Sequence, residues 1–130
     1  MKKYLLLALV TFGSAVFAQS GAKIEFKDKD NTIDYGTVNK EDDNGLRAFV
    51  FTNTGNAPLI IKDAKSTCGC TVPSFPKEPI APGAKGVIGV KYDTNRVGPF
   101  TKTVTISSNA AGQPTKVLTI KGNVIASSKS

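Results

Sequence analysis

Phe100-Thr101-Lys102-Thr103-Val104-Thr105-Ile106-Ser107 is the most informative run in this chain. Phe100, Lys102, Val104 and Ile106 fall on one face and the three threonines on the other. This period of two marks a strand with one buried face. Lys102 is the polar member of the buried set and is expected near a strand end. On the C-terminal side, Asn109 to Pro114 reads as a turn, and Thr115 to Ile125 as a last strand carrying Val117, Leu118, Ile120, Val124 and Ile125. On the N-terminal side, Gly86 to Tyr92 reads as a strand with Val87, Ile88, Val90 and Tyr92, and Asp93 to Pro99 as its connection. Pro82-Gly83 has the composition of a type II turn centre, since proline presets φ at the first position and glycine supplies positive φ at the second.

Further back, Pro73, Pro76 and Pro79 predict a non-helical loop, and Thr67 to Val72 a short extended piece. Leu59-Ile60-Ile61 forms a strand entered through Pro58, because proline can begin a strand but not occupy its middle. Leu46 to Asn53, with Phe49, Val50 and Phe51, is apolar on both faces and suits an inner strand. Lys23 to Lys27 alternates, and Ile33, Tyr35 and Val38 continue in strand-like fashion around Gly36. Beyond the N-terminal leader, no segment of ten or more residues has a helical period. Seven to eight strands about ten residues apart are the signature of an all-β sandwich or barrel. The longer links favour a sandwich of antiparallel strands with Greek-key crossovers.

The first 18 residues differ from the rest. Lys2 and Lys3 precede an apolar stretch, Tyr4 to Phe12, that is too short to span a bilayer. Val16-Phe17-Ala18 suits signal peptidase, which predicts a signal peptide over residues 1–18 with the cut before Gln19. The domain then occupies residues 19–126, and residues 127–130 are a disordered polar tail. Cleavage leaves 112 residues, with 15 basic against 10 acidic side chains, a net charge of +5 instead of +7. A domain of this size buries about two-thirds of its unfolded surface and holds together by its core. No basic run alternates with aromatics, and export argues further against nucleic acid. No apolar segment long enough to cross a membrane follows the leader. The destination is the periplasm, the cell surface or the medium.

Cys68 and Cys70, separated by Gly69, form the one constellation with chemical potential. A bridge within the tripeptide suits an oxidising compartment. In a regular strand, however, Cα atoms two residues apart lie roughly 6.6 Å from each other with parallel Cβ vectors, so a bend at Gly69 would be needed. Closing so short a loop removes only about 1.6 kcal/mol of unfolded-state entropy, so the bridge would be no structural staple and would be readily reduced. Alternatively, two thiolates could bind Cu or Zn, although a closed zinc site wants four ligands and the chain has no histidine. Pairing between molecules, or a plain core role for two small apolar residues, are the remaining readings. The C-x-C spacing without a following helix is unlike a thioredoxin-type site.

The absence of histidine excludes Ser-His-Asp and Cys-His catalysis and the histidine-based zinc hydrolases. No glycine-rich phosphate loop occurs. Asp28 with Asp30, and Glu41-Asp42-Asp43, are acidic turns whose spacing matches no calcium loop. Lys91, Arg96 and Lys102 are read as charges along one sheet edge, where they would oppose edge-to-edge pairing.

A larger pattern runs through the chain. It comprises Phe49-x-Phe51-x-Asn53-x-Gly55, Leu59-x-Ile61, Cys68-Gly69-Cys70-Thr71, Ile80-x-Pro82-Gly83, Val90-x-Tyr92, Gly98-x-Phe100-x-Lys102, Ile106-x-Ser108-Asn109 and Gly122. In this order the motifs resemble domain-of-unknown-function family 1573, found in exported proteins of Gram-negative bacteria. The resemblance implies an immunoglobulin-like sandwich of the kind shared by major sperm protein, pilus chaperones and ASH domains. It implies no established activity, and apart from Cu or Zn at Cys68 and Cys70 the residues suggest no cofactor. Asn53, Gly55, Gly69, Thr71, Pro82, Gly83, Gly98 and Asn109 are its structural positions. The expected function is a non-enzymatic binding or scaffolding module of the cell envelope, its partner an envelope protein or glycan. The alternative is a thiol-based metal or redox carrier acting through Cys68 and Cys70.

Overall fold

A computed structural model describes residues 21–126. The expected signal peptide at 1–18 and tail at 127–130 lie outside the described residues. Among the described residues there are eight strands: β1 (Ile24–Phe26), β2 (Thr32–Asn39), β3 (Leu46–Asn53), β4 (Ile61–Ser66), β5 (Thr71–Ser74), β6 (Lys85–Tyr92), β7 (Gly98–Ser108) and β8 (Thr115–Ile125). They form two four-stranded sheets, ordered β1-β3-β6-β5 and β2-β8-β7-β4. Most connections pass from one sheet to the other, as in a Greek-key sandwich.

Alternation drives the packing. Phe49, Phe51 and Asn53 of β3 and Ile88, Val90 and Tyr92 of β6 are buried on the inner face of the first sheet. Phe100, Val104 and Ile106 of β7 and Leu118, Ile120 and Val124 of β8 meet them from the second. Phe26 stands edge-on to Phe49, with ring centroids 6.3 Å apart, and 5.7 Å from Phe51. The turn at Pro82-Gly83 takes the expected form, with Gly83 at φ 82° and the Ala84 amide donating to the Ala81 carbonyl at 2.9 Å.

Several expectations change. The sandwich is not wholly antiparallel, since β2 pairs with β8 in parallel. Side-chain alternation is the same for either strand direction, so the pattern could not reveal this. Between Asp34↔Lys121 and Thr37↔Asn123 the pair carries a bulge, and Tyr35 and Gly36 together oppose Gly122. Gly122 is needed there because a Cβ would meet Tyr35 Cβ at 2.7 Å and the Gly36 carbonyl at 2.9 Å. The strand expected at Leu59–Ile61 is instead an isolated bridge, Leu59↔Ile80, followed by β4, which begins at the buried Ile61 and continues through the largely polar residues 62–66. Pro73 lies within β5 instead of a loop, which is allowed because β5 is an edge strand. Lys102 sits mid-strand and half-buried. β4 ends at Ser66 opposite Val104, so the inner face opens just where Lys102 arrives. Lys91, Arg96 and Lys102 share no edge: Lys91 is on the inner strand β6, Lys102 on the inner strand β7, and Arg96 is in the loop between them.

Candidate functional site

The two ends of the sandwich differ in chemistry. At one end β3 finishes at Asn53, whose side chain is fully buried and uses its whole hydrogen-bonding capacity. Its Oδ1 accepts from the amides of Lys23 at 3.2 Å and Gly55 at 2.9 Å, and its Nδ2 donates to the carbonyls of Ala57 at 2.8 Å and Ile80 at 2.9 Å. Its own amide donates to Ala84, and its carbonyl accepts from Gly83. Gly55 has no room for a Cβ, which would collide with the Gly21 carbonyl. Asn109 works similarly nearby, accepting from the Ile60 amide at 2.8 Å and donating to the Pro58 carbonyl at 3.1 Å. Asn53, Gly55, Pro82, Gly83 and Asn109 thus converge on one knot of loops, where they organise backbone.

The opposite end holds the cysteines. Here the chain leaves β4 of the second sheet and enters β5 of the first through the turn Thr67–Cys70. The expected extended piece is therefore a bend, closed when the Thr71 amide donates to the Cys68 carbonyl at 3.1 Å. Bending brings the Cα atoms of Cys68 and Cys70 to 5.1 Å, and the two sulfurs are joined in a disulfide. Gly69 is not in the left-handed region, and nothing lies within 4 Å of where its Cβ would be. The bend comes from the turn as a whole and not from a conformation reserved for glycine. Cys68 is half-buried, whereas Cys70 is 2% exposed and Thr71 is buried beside it. The Cys70 amide donates to Cys68 Sγ at 3.1 Å, and Cys70 Sγ lies 3.6 Å from Thr71 Oγ1.

A chain of contacts runs from this turn across the end of the sandwich. The Cys70 carbonyl accepts from the Asp93 amide at 2.8 Å, and Thr71 pairs with Tyr92. Tyr92 stacks on Phe100 at 3.8 Å, and Phe100 meets Tyr35 edge-on at 5.2 Å. The Arg47 guanidinium lies 4.0 Å over the Tyr35 ring and grips Asp43 through two bonds of 3.1 and 2.8 Å. Gly98, at φ 123°, begins β7 at this end. Arg47 carried no signal in the strand pattern. Its link to Asp43 is a spacing of four residues across a turn, visible only once the turn is known. Asp43 is thereby engaged as an ion-pair partner, and its Oδ1 also accepts from the Gly45 amide. The Arg47 hydrogen bond holds its carboxyl below the usual range. Among the described residues, no three His, Cys, Asp or Glu side chains come together as a metal-binding group.

Burial is the main reason the Tyr35 hydroxyl, which donates to the Gly45 carbonyl at 2.6 Å, has its pKa pushed up to about 12. Arg47 pulls it down and Asp43 adds a smaller upward push. The folded state therefore keeps a proton that the unfolded chain releases near pH 10. This contribution to stability is intact below pH 10 and is lost as the pH rises toward about 12. Denaturant midpoints measured across this window should fall more steeply for the wild type than for Tyr35→Phe. The variant should also lack the late phenolate absorbance step near pH 12.

An open groove of about 610 Å³ runs along β1, the 3-10 turn Lys29–Asn31 and the β7–β8 turn. Lysines 23, 27, 29 and 116 line it together with Glu25, Asp28 and Asp30, so it presents both signs of charge. None of the described helices is long and apolar enough to cross a membrane.

The sequence profile of a family described as "Protein of unknown function (DUF1573)" matches residues 24–124. No curated protein matches the sequence. Among solved structures, a protein of unknown function from Porphyromonas gingivalis W83 is similar at TM-score 0.69 and 16% identity, over 84% of this chain and 50% of that one. The chain thus spans about half the length of that relative. The ASH/PapD-like domain 7 of human CEP192 is similar at TM-score 0.59 and 10% identity, over 93% of this chain and 98% of the domain. The VesB protease of Vibrio cholerae is similar at TM-score 0.56 and 14% identity, but over only 32% of its chain. These likenesses carry the immunoglobulin-like fold and nothing finer.

Proposed function

The chain belongs to the DUF1573 family of unknown function, and on that premise we propose that it is a non-enzymatic binding or scaffolding module of the cell envelope. In this reading it is exported by cleavage after Ala18, and its partner is an envelope protein. The observation that carries the reading is the outer face of the first sheet. Leu46, Val72 and Val87 stand there 54%, 60% and 46% exposed. Leu46 and Val72 flank Lys91 in register on adjacent strands, and the small residues Ala48 and Gly89 lie one pair further along. Exposed aliphatics that share one sheet face around a lysine are what a protein partner buries. A glycan would take the mixed-charge groove along β1 instead.

The test is photo-crosslinking in the native envelope from probes at Leu46 and Val72, with a probe at Gln113 reporting the groove. A discrete protein adduct at Leu46 and Val72, lost in Val87→Lys, is the expected result. Adducts only from Gln113, or none above background, would refute the assignment. A second reading, a thiol-based redox carrier, is favoured by the half-buried residue Cys68 within a bridged pair.

A further inference from the structure

The Cys68–Cys70 bridge is asymmetric, and its asymmetry assigns separate roles to the two sulfurs. We infer that Cys68 is the sulfur through which this protein exchanges with an external thiol, and that Cys70 is the leaving and resolving sulfur; the inference rests on the redox reading. Cys68 packs against the core but is only half-buried, while Cys70 is 2% exposed, so Cys68 is the residue of the pair more open to an incoming thiolate. Gly69 leaves the tip of the turn bare, with open space where a side chain would stand, although the backbone there does not demand glycine.

The step balances as ordinary thiol–disulfide exchange. A thiolate RS⁻ attacks Cys68 Sγ, forming RS–S(Cys68) and breaking the bond to Cys70. The electron pair of that bond leaves on Cys70 Sγ, which lies 3.6 Å from the Thr71 hydroxyl and takes its proton from solvent. A second thiolate then attacks the RS sulfur and releases RSSR. Cys68 departs as a thiolate at the site where the Cys70 amide now lies 3.1 Å from its sulfur. The small-molecule thiol is oxidised by two electrons and the protein pair reduced by two. In reverse, Cys68 is the better nucleophile, because it is the more exposed residue of the pair. Both directions pass through a mixed disulfide on Cys68.

The bridge is not the only tie that holds the turn among the described residues. Thr71 donates to the Cys68 carbonyl, Asp93 donates to the Cys70 carbonyl, and β5 pairs with β6 from Thr71 to Ser74. A site that opens and closes while its scaffold stays put is suited to repeated cycles.

Reduced glutathione is the probe. The oxidised mature protein is incubated with it under native conditions, quenched by alkylation, and its cysteine peptide fragmented in a mass spectrometer. Wild type should be reduced with an unchanged far-UV spectrum. In the fully reduced protein, Cys68 should alkylate about tenfold or more faster than Cys70. Cys70→Ser should retain glutathione on Cys68 when treated with glutathione disulfide, whereas Cys68→Ser should take up little. Equal or faster labelling at Cys70 would overturn the assignment of roles while leaving a redox carrier intact. A bridge that resists glutathione until the domain unfolds would overturn both. The wild-type labelling ratio needs no variant to fold.

Discussion

Asn53→Ala lowers the unfolding free energy by about 3 kcal/mol or more, a large part of the roughly 5–15 kcal/mol that holds a domain of this kind together. The reason is the number of groups left without partners. The amides of Lys23 and Gly55 and the carbonyls of Ala57 and Ile80 all converge on this one carboxamide. The bond to the Ile80 carbonyl is buried and the other three are part-buried, around a side chain that is itself fully buried. Leaving such groups unpaired costs about 1–3 kcal/mol apiece, less whatever water can repair. Asn53→Asp is the sharper variant. A carboxylate can still accept from the two amides, but it has nothing to donate to the two carbonyls, and its charge is buried against them. It should therefore be worse than alanine at neutral pH. Because burial raises its folded pKa, its penalty should shrink as the pH falls toward about 4, where the acid form can donate again. Urea denaturation of the three proteins at pH 7 and pH 4 reads both effects. An alanine variant within about 1 kcal/mol of wild type would contradict the account.

The second large effect is a coupling. Phe51 is fully buried, and the Cβ position of Gly86, its cross-strand partner, falls 2.5 Å from the Phe51 ring. Phe51→Ala should cost about 3–5 kcal/mol through the cavity it opens. Gly86→Ala alone should cost about 1–3 kcal/mol, because the new methyl drives the ring off its position. Combined, the new Cβ enters space that the ring has vacated. The double variant should then be no less stable than Phe51→Ala alone, a departure from additivity of about 1 kcal/mol or more. Strict additivity in a double-mutant cycle would mean that the ring and the glycine do not share this space.

Much of the architecture was legible along the chain, and the misses have common causes. β3, β6, β7 and β8 announced themselves because alternating or continuous apolar residues report a buried face directly. The Pro82-Gly83 turn was legible because each residue restricts its own φ. β4 was not, since Lys62, Asp63, Lys65 and Ser66 offer little apolar signal and the strand exists because β7 pairs with it. Asn53 stood out as a motif position, yet its role depends on partners at Lys23, in its own 55–57 loop and at residues 80–84. The aromatic run from Tyr92 through Phe100 to Tyr35 and its Arg47 cap joins residues of four strands, and no local pattern encodes it.

The order of residues was therefore enough for an all-β chain, for most of its strands and turns, and for the cysteine pair as the place to look for chemistry. Each of these follows from local rules of φ, side-chain period and spacing. Packing supplied the parallel course of β2, the turn that brings two near-neighbour cysteines within bonding range, and the difference in burial between the two residues. Those properties depend on where distant segments lie in space, and a one-dimensional pattern carries neither strand direction nor burial by remote neighbours.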